Sequence, residues 1–525
     1  MADVAEWLLT ARERGNHSTS IDRGRPSGIA WTTGNRVVPR IHGADYFKAL
    51  ADAVGSLERG CHLWVADWRG DQDQFLTEGL TLGELLTDAC QRGVQVRGLL
   101  WRSHPAMFGF SEQQVSTLAD EVSDAGGQLL LDERVRHGGS HHQKMVLLLH
   151  PDAPANDIAF VGGIDLCHGR RDDTRHLGDA QPAPVGDEYG KRPPWHDIQL
   201  EIRGPAVADV AETFRERWND RTPLEHAGLP PHVARRLKIA RRRLPAPLPT
   251  VAPAPPVAEG EGSTVQILRT YPAKRPGYPF ALKGERSIAR LYLKALERAR
   301  SLIYVEDQYF WSEEIARAYE RALVKTPGLH LIAVVPRFPD RNGPLSGPAN
   351  RYGQLAMLHL LVRRHPDRVA VYDLENDVGT PIYVHAKAVV IDDELAVVGS
   401  DNMNLRSWTH DSELSVAVVD AETGEDGAST FARDLRISLW REHLGNAAVG
   451  EGHLDPATDF AVWQRSAEAL DAWHVHGGPG ERPIGRVRPH RPRNLSVWQR
   501  PWARLLYRAF VDPDGRPASM KPGTF

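Results

Sequence analysis

The sequence predicts an α/β protein of two similar lobes, each a mixed β-sheet flanked by helices, the two related by pseudo-twofold symmetry. Three observations lead there. Helical and strand periodicities alternate along the 525 residues, too many for one ordinary core. The order of elements is nearly the same in the two halves, as expected of helices packed on sheets. In each half, finally, a histidine two residues ahead of a lysine opens an apolar run, in "GSHHQKMVLLLHPD" (139–152) and "IYVHAKAVVIDD" (382–393).

The elements follow in order. After an N-terminal extension (1–39), the first lobe (40–225) starts with helical spacing in "DYFKALADAVGSLERG", which leads into the apolar strand "CHLWVADW". A helix around "LGELLTDACQRG", the strand "VQVRGLLW", another helix and "GQLLLDE" come next. The His–Lys run, the strands "DIAFVGGIDL" and "WHDIQLEIRG", and the helix "AVADVAETFRERW" close the lobe. The Pro/Ala-rich stretch "LPAPLPTVAPAPPVAEGEG" has no periodicity and marks a semi-extended linker over 226–262. The basic run "RRLKIARRRL" before it reads as a solvated helix end. In the second lobe (263–447) "SIARLYLKALERARS" feeds "LIYVEDQYF", "EEIARAYERALVK" feeds "LHLIAVVPR", and "GQLAMLHLLVRRH" precedes "VAVYDLE". The second His–Lys run, "LAVVGSDNMN", "SELSVAVV" and a closing helix complete the repeat, and an Arg/Trp-rich tail (448–525) follows.

Composition narrows the function. A net charge of −4 and a pI near 6.7 give no global basic field for nucleic acid, so none is expected as a partner. Three widely spaced cysteines make no disulfide framework and fit a reducing compartment. The N-terminus does not read as a signal peptide, and no run reaches the ~18 apolar residues of a membrane span. The expectation is a soluble, cytoplasmic monomer able to touch a membrane peripherally.

Residues i and i+2 of a strand share a face, so His142 projects with Lys144 and His385 with Lys387. If the lobes pack symmetrically, two cations and two imidazoles meet in one cleft, a site suited to a phosphodiester. Fixed positive charge steadies the anionic oxygens. One neutral histidine attacks phosphorus while the other, protonated, serves the departing alkoxide. Each histidine also needs a partner to fix its tautomer. Asp197 in "PWHDIQLEI" and Glu413 in "THDSELSVAV" open matching strands and are the carboxylates expected behind His142 and His385, respectively. The strand ends "VGGID", with Gly162 and Gly163, and "VGSDNMN", with Gly399, would let the backbone approach a phosphate, and Ser400 and Asn402 add neutral donors. No metal and no cofactor are expected. His141, His142, His150 and Asp152 lack metal-site spacing, and His150, His168 and His176 read as ordinary core or surface residues.

HxKx4D followed by G-S-x-N resembles the phospholipase D superfamily. His385, Lys387, Asp392, Gly399, Ser400 and Asn402 fill that pattern, while "HHQK", "FVGGIDLCHGRRD" and "PWHDI" are similar to the eukaryotic-type, phosphatidylcholine-cleaving branch. The resemblance spans roughly residues 40–445. It implies two such lobes, a covalent phosphohistidine on His142, His385 as acid and then base, and water or an alcohol as acceptor. The substrate it implies is a glycerophospholipid met at a membrane surface. Two departures stand out. Leu149 replaces the first motif's aspartate, which strand geometry turns away from the catalytic pair and which is therefore expected to be structural. Asp165 stands where the pattern has asparagine.

Asp67 and Asp307 end matching strands, where they line the cleft or serve the fold alone. The insertion over 168–194 reads as a loop above the cleft or as plain surface. For the tail, the first expectation is that Trp498, Trp502 and Tyr507 pack on the body; the alternative is an interfacial anchor. Competing functions are a cardiolipin-synthase-like phosphatidyltransferase, a nuclease or other phosphodiesterase, and a non-catalytic phosphate or lipid binder.

Overall fold

The computed structural model describes the chain apart from residues 1–3, 24, 27, 103–111, 225–243, 258–261, 341–345, 421–429, 446–455 and 479. The basic run at 235–243 thus lies outside the described residues.

In the first half the principal strands are β1 (Thr32–Ile41), β2 (His62–Asp67), β3 (Gln95–Trp101), β4 (Gln128–Asp132), β5 (Met145–Leu149), β6 (Ile158–Gly162), β7 (Trp195–His196) and β8 (Ile198–Arg203). In the second they are β9 (Ser263–Tyr271), β10 (Leu302–Asp307), β11 (His330–Val334), β12 (Val369–Leu374), β13 (Tyr383–Val384), β14 (Lys387–Ile391), β15 (Leu395–Gly399) and β16 (Glu413–Asp420); the tail adds β17 (Val487–Pro489). From its inner edge outward the first half-sheet runs β1-β8-β6-β5-β2-β3-β4, and the second runs β9-β16-β15-β14-β10-β11-β12 with β17 beyond. Parallel and antiparallel pairings match position by position, with the β2–β3–β4 and β10–β11–β12 strands parallel and the rest antiparallel. Each half therefore carries the mixed α/β sheet that the sequence predicts.

The two half-sheets join edge to edge where β1 meets β9, with Thr32 opposite Val265 and Asn35 opposite Ser263. Joining them removes two exposed edges. Asn35 holds the irregular seam: its amide donates to the carbonyls of Thr32 and Ser263 and accepts the Ala206 N–H at 2.8 Å.

Strand alternation decides which side chain enters which core. Met145, Leu147 and Leu149 of β5 join Ala388 and Val390 of β14 in one layer that runs across both halves. Helices α4 (Ala206–Trp218), α8 (Phe431–Leu444) and α9 (Pro456–Val475) cover it. Val146 and Leu148 face the opposite way, toward α1 (Gly43–Gly55), α2 (Leu82–Gln91) and α3 (Glu112–Asp124). Val389 and Ile391 face α5 (Ser287–Arg298), α6 (Glu313–Lys325) and α7 (Ser346–Leu361). Strands apolar on both faces are what a sheet covered by helices on both sides requires. No helix among the described residues is long and apolar enough to cross a membrane.

The motif aspartate does its work in this framework. Asp392 follows β14 with φ 53°, and its carboxylate accepts the N–H groups of Arg300, Ser301 and Leu302 at 2.7–2.9 Å. It pins the start of β10 and touches no histidine. In the first half β5 runs one residue further, Leu149 enters the core, and Asp157 secures the turn by accepting the His150 N–H at 2.6 Å. Asp392→Ala is expected to cost about 3 kcal/mol, because three backbone donors lose a charged acceptor in a part-buried turn. Urea denaturation should read that loss while activity per folded molecule stays unchanged.

Candidate active site

Both histidines lie just ahead of their strands rather than within them, because residues 139–142 and 383–386 pair with the other half of the molecule. His141 bridges Ser412 in parallel, the His142 N–H donates to the Ser412 carbonyl at 2.9 Å, and the Ser412 N–H donates to the Ser140 carbonyl at 3.0 Å. Likewise β13 runs parallel to β7, and the N–H groups of His385 and Ala386 both donate to the His196 carbonyl at 2.8 and 3.1 Å. Two short cross-half ladders thus set each histidine beside a carboxylate of the opposite half.

The carboxylates are the two expected, but the pairing is crossed. Glu413 Oε2 lies 2.9 Å from His142 Nδ1, and Asp197 Oδ2 lies 2.6 Å from His385 Nδ1. The sequence reading placed each carboxylate behind the histidine of its own half; the ladders overturn that. Both carboxylates are fully buried. Such groups are held only where they are paired and hydrogen-bonded. Glu413 accepts the Ser400 hydroxyl at 2.5 Å, and Asp197 accepts the Ile198 N–H at 2.9 Å. Among the described residues nothing bonds to Nε2 of either catalytic-motif imidazole. The His142 side chain is 15% exposed against 6% for His385, so His142 offers the more open nitrogen.

Other support residues do a different job from the one expected. A Cβ on Gly163 would lie 2.3 Å from Asp197 Oδ1, and one on Gly399 would lie 2.0 Å from Ser415 Oγ. Gly162 is crowded in the same way, by Gln199 and Ile198. These glycines make room for the side chains behind them instead of opening the backbone to a ligand. Ser400 likewise spends its proton on Glu413. Asn402 is buried, and its Oδ1 has no hydrogen-bond partner.

The positive charge is asymmetric. Lys144 Nζ donates to the His142 carbonyl at 3.1 Å and pairs with Asp165 at 3.0 Å. Lys387 Nζ donates to the His385 carbonyl, but it forms no ion pair among the described residues, since Asn402 stands where the first half has Asp165. Burial, reinforced by Lys144 and only partly offset by Asp197, pulls the Lys387 ammonium down to about 8. Arg170, which the sequence reading did not single out, lies 3.5 Å from Asp165 and stacks 3.9 Å over the Trp195 ring. Trp195 in turn lies 4.9 Å from the His385 ring. The signal for both was present, since each adjoins a motif residue in "CHGRRD" and "PWHDI".

Asp165 gathers the site. Despite burial, Lys144, Arg170, His385 and His142 together hold its carboxyl below the usual range, so both imidazoles surround one carboxylate. Burial and the adjacent Asp165 drive Asp67 well above the usual range. Asp67 accepts the Leu166 N–H and Asp307 the Met403 N–H, so each ties down the loop beyond a Gly-containing strand end. Burial, then Lys387 and Arg170, hold His385 well below its ordinary value, and burial raises Asp197. Burial outweighs attraction for both partners, which biases the His385 ring toward its neutral form. Lys144, Lys387 and Arg170 gather around Asp165, and these are the cations that an anionic ligand would meet.

A second cluster stands directly behind, since His196 adjoins Asp197. Glu442 meets Nε2 of His42 and His176 at 2.9 and 2.8 Å, while Glu306 meets Nε2 of His196 and His443 at 2.7 Å each. Among the described residues, His42, His176, His196 and Glu442, and His196, Glu306 and His443, are the groups whose donor atoms come close enough to hold a metal. Most of those atoms already bond one another, while His196 Nδ1 lies 3.4 Å from Glu442 without a hydrogen-bond partner among the described residues. Against burial, Glu306 and Glu442 push His196 up to about 10, so its imidazolium is clamped between two carboxylates, while burial lowers His42 and His443. His176 arrives on the 168–194 insertion, which also sets Tyr189 edge-on against Tyr383. That insertion is a wall of the site.

A family model described as Phospholipase D matches residues 69–333 and 363–479. Phospholipase D alpha 2 of Oryza sativa subsp. japonica is 28% identical, with 75% of this chain and 62% of its own length covered. For phospholipase D gamma 2 of Arabidopsis thaliana the figures are 27%, 76% and 61%. The chain thus spans about three-fifths of the length of these relatives. Among solved structures, phosphatidylserine synthase of Haemophilus influenzae has a similar fold, with a TM-score of 0.51 at 13% identity over 85% of this chain and 96% of that one.

Proposed function

Because the chain belongs to the phospholipase D family, we propose that it cleaves glycerophospholipids such as phosphatidylcholine, releasing the head-group alcohol and phosphatidic acid through a phosphohistidine. One observation carries the reading. Two imidazoles with unengaged Nε2 atoms, each backed at Nδ1 by a buried carboxylate of the other half, flank a cation cluster.

In the first step neutral His142 attacks phosphorus through Nε2, with Glu413 fixing the tautomer that leaves this nitrogen's lone pair free. Lys144, Lys387 and Arg170 hold the anionic oxygens. The head-group oxygen leaves with the proton of His385. Burial, with Lys387 and Arg170, biases that ring toward its neutral form. An anionic substrate beside it favours the imidazolium, so binding supplies the proton donor. In the second step neutral His385 takes a proton from water or an alcohol, whose oxygen attacks phosphorus and expels His142.

The test is incubation with mixed phospholipids and ethanol. Head-group release should continue while phosphatidylethanol accumulates at the expense of phosphatidic acid. Hydrolysis with no ethanol in the product would remove the covalent intermediate. Turnover should also fall as pH rises through about 8, where Lys387 loses the charge that holds the phosphate.

A further inference from the structure

The C-terminal segment buries one side of a short helix and leaves the other bare. In α10 (Arg500–Leu506), Ala503 is buried, and Tyr507 just beyond packs on Trp311 and Tyr352. The outward side is apolar and basic. Val497 is 74%, Trp498 88%, Leu505 70% and Phe510 71% exposed, which corrects the expectation that Trp498 packs on the body. Arg500, Arg504 and Arg508 recur at intervals of four beside them and are exposed, with no ion pair among the described residues. Residues 482–511 hold eight arginines and no acidic residue. The field extends onto α7, where Arg363 and Arg500 both bear on His359.

This surface adjoins the rim of the active site. Arg406 donates to the Phe510 carbonyl and to the Gly138 carbonyl, and pairs with Asp411 at 2.8 Å. Asp411 in turn accepts the Ser140 N–H at 2.8 Å, two residues before His142. Exposed Trp, Leu and Phe beside unpaired arginines suit a plane that is apolar below and anionic at its surface.

We propose that residues 497–511 form the docking surface for an anionic phospholipid bilayer, presenting the cleft to its substrate. The purpose rests on the phospholipase reading; the binding does not. Wild-type protein should co-sediment with vesicles of phosphatidylcholine mixed with phosphatidic acid, far less with phosphatidylcholine alone, and less again as salt rises. R500Q/R504Q/R508Q should weaken binding to the mixed vesicles on the order of 100-fold. W498A/L505S/F510S should weaken it at least about tenfold. Neither variant should shift the thermal midpoint or the cleavage of a monomeric short-chain phosphatidylcholine. Wild-type affinity in both variants overturns the proposal. So does a wild-type dimer that the apolar variant dissociates, for the face would then be a self-association surface. A wild type that binds mixed vesicles through these residues but cleaves no phospholipid upholds the surface and removes the phospholipase reading.

Discussion

His142→Ala lowers turnover of phosphatidylcholine by roughly 10⁵-fold and His385→Ala by about 10³- to 10⁴-fold, the losses expected for a covalent nucleophile and for a general acid–base group. The two variants should differ in kind as well as size. Without His385 the nucleophile remains, and the alkoxide simply lacks a proton as it departs. A phosphodiester with a nitrophenolate leaving group needs no such proton, so His385→Ala should release nitrophenol in a burst. It should then stall, because no base activates water, and intact-protein mass spectrometry should find the phosphorylated enzyme. His142→Ala should show neither burst nor adduct. A burst from His142→Ala and none from His385→Ala would reverse the assigned roles.

Much of this site is visible in the sequence because it rests on local periodicity. The His–Lys runs are apolar on both faces, since β5 and β14 feed cores on two sides of the sheet, and their recurrence marks the repeat. Asp392 is legible too. Five residues beyond Lys387 the strand has ended, and a carboxylate there serves the turn. What the sequence hides is long-range pairing. Nothing in the spacing of Asp197 or Glu413 shows that residues 139–142 zip onto Ser412 while 383–386 zip onto 194–196. Residues from both chain halves make each dyad, so a plan drawn lobe by lobe misassigns both. The glycines misled for a related reason. Their need for space arises from Asp197 and Ser415 on neighbouring strands, which a linear motif does not display. The histidine clamp escaped notice because its members, from His42 to His443, share no motif spacing at all.

The crossing of the two dyads has its own experimental signature in Glu413→Gln and Asp197→Asn. Each amide keeps the size of the carboxylate but presents an N–H or a neutral oxygen to Nδ1, so the imidazole loses the partner that fixes its tautomer. In a serine-protease triad that exchange costs about 10⁴ in kcat, and losses of about 10³- to 10⁴-fold are expected here with KM little changed. Because Glu413 backs His142, Glu413→Gln should slow formation of the phosphohistidine itself, and a nitrophenolate leaving group should not restore the burst. Because Asp197 backs His385, Asp197→Asn should behave as a milder His385→Ala, with the burst restored and the adduct slow to hydrolyse. Pairing within each half would exchange these outcomes. A burst in Glu413→Gln together with its absence in Asp197→Asn would therefore contradict the cross-half ladders that build the site.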